Sequence, residues 1–131
     1  MIEKAIIQLL RQSLALTAIV GNRIYPNIIK AGATYPAVYV AANQMEKLEC
    51  DNHSGVKSGT VEIGIWSDDY QVCYDCIEAI RDKLDEYSGI INSVGITFLR
   101  GEEAPDGYDE DLKMNLKAID FKAFAQIKST N

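Results

Sequence analysis

The sequence predicts an α+β domain in which two helices pack on a mainly antiparallel β-sheet, in the order helix, strand, strand, helix, strand, strand. Three observations carry this. Apolar residues recur at helical spacing in two stretches, 2–16 and the segment from Ser67-Asp68-Asp69 to Tyr87. They alternate in two others, 60–66 and 112–127. Clusters of turn-forming residues separate these stretches.

In the first stretch Ile2, Ala5, Ile6, Leu9, Leu10 and Leu14 fall on one side of a helix that Gly21-Asn22 ends. Arg23 to Thr34, with Pro26 and Gly32, reads as an irregular connection. Pro36 opens a strand, and Ala37-Val38-Tyr39-Val40-Ala41-Ala42 has the composition of one buried on both faces. Cys50 to Gly55 is turn chemistry, and the strand Thr60–Trp66 turns Val61, Ile63 and Ile65 to one side, so the two strands form a long hairpin.

Ser67 is the expected cap of the second helix, with Asp68 and Asp69 at the positive end of its dipole. Cys73, Cys76, Ile77, Ile80, Leu84 and Tyr87 form its apolar stripe, and Ser88-Gly89 closes it. Val94–Leu99 is a short strand, and Gly101–Asp111 is an acidic loop with six carboxylates and no base. The last strand begins with apolar residues at Leu112, Met114, Leu116 and Ala118, then switches to Ile119, Phe121, Ala123, Ala125 and Ile127. A one-residue change of phase predicts a β-bulge.

The 131 residues suit one domain spanning 1–131, and 47% hydrophobic with 24% charged residues suits a packed core. A net charge of −6, with lysines and arginines scattered singly, argues against binding to nucleic-acid phosphates. No stretch approaches the roughly 20 apolar residues of a membrane span, and Met1-Ile2-Glu3-Lys4 does not begin a signal peptide. Three cysteines are an odd number, which suits a reducing cytoplasm better than a disulfide framework.

Several segments, in their order and spacing, resemble the tail completion family of long-tailed bacteriophages, also called tail terminator or tail-to-head joining proteins. They are Met1-Ile2-Glu3-Lys4-Ala5, Val20-Gly21-Asn22-Arg23-Ile24-Tyr25-Pro26 and Tyr35-Pro36-Ala37-Val38-Tyr39. Then follow Val61-Glu62-Ile63-Gly64-Ile65-Trp66-Ser67, Ala79-Ile80-Arg81-Asp82-Lys83-Leu84 and Ala118-Ile119-Asp120-Phe121-Lys122-Ala123-Phe124. The resemblance implies a structural protein of a phage or prophage and no enzyme. It implies a homo-oligomeric ring, often a hexamer, at the end of the tail, assembled in the bacterial cytoplasm. Its partners would be itself, the tail tube protein and the head–tail connector, with no cofactor.

Interface residues are expected in two places. One is the apolar set Ile24, Tyr25, Ile28 and Ile29 within the irregular connection. The other is the acidic loop, with Glu102, Glu103, Asp106, Tyr108, Asp109, Glu110 and Asp111. Mutual repulsion should keep that loop mobile until it lines a channel or meets a basic partner, with Tyr108 as its apolar anchor.

Two other readings come from the cysteines and from the absence of motifs. Cys50-x-x-His53 and Cys73-x-x-Cys76 have the spacing of a structural zinc site, or the second pair alone could be redox active. A strand of about ten residues, roughly 33 Å, separates the Cys50 turn from the helix carrying Cys73, which leaves a gap on the order of 20 Å. The remaining alternative is a small adaptor or ligand-binding module. A single histidine, His53, excludes most histidine triads, and no phosphate-binding glycine loop or EF-hand spacing occurs.

Overall fold

The structure, a computed structural model, describes residues 2–27, 34–42, 46–47, 56–91, 93–111 and 113–127. The expected first helix is two. α1 (Ile2–Arg11) turns Ala5, Ile6, Leu9 and Leu10 inward, and α2 (Leu14–Val20) follows after a break. Ser13 makes the break: its backbone is extended and its hydroxyl accepts from Leu16 N at 3.3 Å, so it caps the second segment. Leu14, expected in the apolar stripe, sits at that new start and is 83% exposed. Gly21 closes α2, with its N–H donating to Thr17 O and its φ at 58°.

The expected irregular connection instead begins with a strand, β1 (Ile24–Pro26), which pairs in parallel with β2 (Ala37–Ala41). Arg23 fastens both. Its Nε donates to Pro36 O at 2.8 Å and its Nη2 to Ile19 O at 3.2 Å. β2 is antiparallel to β4 (Val56–Ser67), which also pairs with β3 (Glu46–Lys47).

α3 runs from Tyr70 to Leu84, with Asp69 rather than Ser67 as its cap; Asp69 Oδ1 accepts from Gln71 N at 2.9 Å. Ser67 lies two residues back, and its hydroxyl accepts from Asp69 N. Ser88-Gly89, expected only to stop the helix, begins β5 (Ser88–Ile91), which pairs with β6 (Val94–Phe98). Asp85 ends α3 earlier than expected, donating its N–H to Arg81 O.

β9 (Met114–Ile127) is the centre of the sheet. On one side it pairs with β4 over twelve consecutive residues, Val56↔Gln126 to Ser67↔Asn115. That unbroken register contradicts the expected bulge in β9. The change of phase has another cause. Leu116 and Ala118 lie on the outer face opposite Trp66 and Gly64, while the inward position between them goes to Lys117. The irregularity belongs to β9's other neighbour, where β6, β7 (Glu102–Glu103) and β8 (Gly107–Asp109) follow one another. From Phe98↔Ala123 to Glu102↔Asp120 four residues face three, and four again face three from Glu103↔Ile119 to Gly107↔Leu116. Each step is a one-residue bulge.

Among the described residues the result is a nine-stranded mixed sheet whose main path is β1-β2-β4-β9-β6-β5. The helices cover its inner face. Val38, Val40, Val61, Ile63, Ile65, Phe98, Ile119 and Phe121 meet the apolar sides of α1, α2 and α3 there. The α+β class and largely antiparallel pairing are as expected, with three helices and more strands than the predicted four among the described residues.

Candidate functional site

Two carboxylate groupings lie beside β9, and they differ in their surroundings. The first is the segment 101–111, expected to be a loose loop. It is instead built onto the domain. Gly101 is buried against Phe121, leaving no room for a side chain, and its N–H donates to Asp85 Oδ1 at 2.8 Å. Glu103 pairs opposite Ile119 and so points to the helix side, where its carboxylate lies 3.5 Å from Arg81 Nη1 and 3.3 Å from Lys117 Nζ.

Lys117, 7% exposed, is the centre of this cluster. Its Nζ donates to Asp106 Oδ1 at 2.9 Å and stands 5.4 Å from the centre of the Tyr70 ring. Tyr70 in turn donates its hydroxyl to Asp106 Oδ2 at 2.9 Å. These bonds hold the Asp106 carboxyl below its ordinary range and push the Lys117 ammonium above its own. At its base the segment is therefore tied down, because Lys117 pairs with Glu103 and Asp106 from a strand outside it. Ala104 N donates to Ala118 O at 2.9 Å, and Asp109 Oδ1 accepts from Asp111 N, so the backbone is also tied. Tyr108 is 58% exposed, and Glu110 and Asp111 are exposed with it, so the segment presents these three outward from a fixed base.

The second grouping is a row across the outer face of the sheet. Glu62, Asp120 and Glu102 sit on three neighbouring strands in direct register. Burial first, then the charges of Glu62 and Glu102, raise the Asp120 carboxyl above its ordinary range. Tyr39 lies flat over Gly64, where any side chain would collide with its ring, and donates its hydroxyl to Glu62 Oε2 at 2.6 Å. Beyond the row, a shallow cavity of about 330 Å³ opens beside Phe124, Thr97 and Ile90, which is 65% exposed.

The remaining expected residues divide. Ile24 is 3% exposed and belongs to the core, whereas Tyr25 is half-buried at the β1 edge. Ile28 and Ile29 lie outside the described residues, as do Cys50 and His53. Cys73 and Cys76 are fully buried on the inner side of α3, as the apolar stripe predicts. Cys73 Sγ faces the carbonyls of Ile65 and Asn115, at 3.8 and 3.6 Å. Burial pushes the two thiols up, to about 11 and about 12. Both are therefore neutral near pH 7, unlike a redox thiolate. Among the described residues no group of three or more His, Cys, Asp or Glu has metal-binding geometry, and no helix is long and apolar enough to cross a membrane. Sequence reading missed Lys117, Tyr70 and the outer row, which only strand pairing brings together.

The described residues thus form a helix-backed sheet that carries charged groupings at its surface. The family model for tail completion protein gp17 matches residues 4–126. The chain belongs to that family of bacteriophage tail structural proteins. Its fold is similar to that of a chain from the virion of a native gene transfer agent particle. The TM-score is 0.67 and the identity 19%, over 95% of this chain and 93% of that one. No curated protein matches the chain.

Proposed function

We propose that the protein is a tail terminator: copies close into a ring, a hexamer by family resemblance, that caps the tail tube and joins it to the head connector. It would assemble in the bacterial cytoplasm and remain in the virion tail. The observation that carries this reading is the family match over nearly the whole chain, together with a fold similar to a virion component over nearly all of both chains. The fixed acidic segment supports it. Tyr108, Glu110 and Asp111 stand exposed on a base held by Lys117, so docking them costs little ordering entropy. They would meet a basic patch on the tube or connector, with Tyr25 at the β1 edge as a further contact.

Electron microscopy of the purified protein, alone and with tail tubes, tests this. The expected result is ring-shaped density at one end of each tube. Tyr108→Ser should weaken that binding about tenfold, the loss of roughly 1–2 kcal/mol from an aromatic anchor, with the melting temperature unchanged. Density along the tube wall, or bare tube ends, would overturn the reading.

A further inference from the structure

The row Glu62–Asp120–Glu102 works against the fold that carries it. Like charges directly opposite on neighbouring strands are destabilising, yet here three stand side by side. The adjoining segment has Lys117 and Arg81 to neutralise it. Among the described residues no ion pair serves the row. Two neighbouring strands are separated by about 4.8 Å, so three carboxylates on three strands span about 10 Å.

The same chain carries a basic ridge of matching length. Lys4, Gln8 and Arg11 lie along one exposed side of α1, beside Ile7 and Pro26. Seven residues of helix separate Lys4 from Arg11, which is also about 10 Å. The ridge belongs to the helix layer and the row to the outer face of the sheet, so one molecule cannot bring them together.

We propose that the Lys4–Gln8–Arg11 ridge of one copy lies across the Glu62–Asp120–Glu102 row of the next, with α1 crossing the strands. This rests on the ring reading above and names its subunit contact. The contact is head-to-tail, since each copy offers a ridge on one side and a row on the other, and such contacts form a ring where the rotation between copies closes. Farther along the same face, past Lys122, lie the apolar residues Phe124 and Ile90.

Two charge-reversed proteins test the contact by sedimentation velocity. One carries Glu62→Lys with Glu102→Lys, and the other Lys4→Glu with Arg11→Glu. All four positions are exposed, and circular dichroism should show both proteins folded. Wild type should self-associate, and each variant alone should do so about tenfold more weakly or worse. An equimolar mixture should recover wild-type association, because each reversed surface then meets its complement on the other protein. Variants that associate like wild type would leave the ring standing and remove this contact from it. Loss in both without recovery on mixing would also overturn the contact. A row variant that still forms rings but no longer binds tail tubes would assign the row to the tube. Wild type that stays monomeric at every concentration would count against the ring itself, and the contact with it.

Discussion

The two carboxylate groupings beside β9 lie a few residues apart and have opposite relations to the fold. Around Asp106 and Glu103 the acids surround a buried ammonium and tie 102–109 to the domain. Across Glu62, Asp120 and Glu102 the acids face one another, with a neutral tyrosine as hydrogen-bond donor. The same residue type stabilises in one place and strains in the other, and the side of the strand decides which. Glu102 and Glu103 are adjacent in sequence; one joins the row and the other joins the cation.

The largest effect should come from removing the cation. Lys117→Met leaves Asp106 and Glu103 repelling beside a buried site, and should cost about 2–3 kcal/mol. Thermal unfolding would read the loss, and hydrogen exchange should speed up at 102–109. If those amides keep their protection, the lysine is not what orders the segment. Gly64→Val should follow, at about 1–3 kcal/mol, because the new side chain drives Tyr39 off the strand and frees Glu62. Displaced ring signals of Tyr39 in an NMR spectrum would confirm the cause.

Asp120→Asn should act in the opposite direction and least strongly, gaining up to about 1 kcal/mol at neutral pH. Its pH dependence sharpens the contrast. Asp120 titrates above the ordinary range in the fold, so its contribution is present at low pH and is lost as pH rises through the folded value. The gain from Asp120→Asn should therefore vanish below that range. Asp106 titrates below the ordinary range, so its contribution holds at neutral pH and is lost as pH falls through the folded value. Asp106→Asn should thus be harmful at neutral pH and silent in strong acid. Melting curves of both variants from pH 2.5 to pH 7, on the order of the carboxylate titration range, would reveal parallel curves if the contrast is false.

Much of the fold was legible because periodicity is local. The stripe of α3, with both cysteines inward, and the alternation of Val61, Ile63 and Ile65 appear as read. What stayed hidden depends on pairing at a distance. Seen alone, 101–111 is six repelling charges; Lys117 changes their meaning from another strand, and an inward lysine also imitates a change of phase. Ser13 broke a helix whose apolar spacing carried straight through it, since Leu14 fits the stripe by number but not by position. At the candidate site, the exposure of Tyr108, Glu110 and Asp111 suits an acidic surface segment, but the Tyr70 contact and the outer row are not legible without the register of three strands.

The staggered neighbour of β9 has a consequence for how this chain can vary. Its three short pieces, β6, β7 and β8, each meet β9 in a register shifted by one residue, so the joints at 99–101 and 104–106 already hold surplus chain. An insertion there leaves β9 in register with β4, provided Gly101 stays against Phe121 and Asp106 stays on Lys117. Lengthening this tract is therefore inexpensive, whereas one added residue in β4 would turn its inward side chains to water. The molecule separates a tract that can change with its partner from a frame that cannot. Fusions and affinity tags placed at residue 105 should be accepted where the same additions at residue 62 would not.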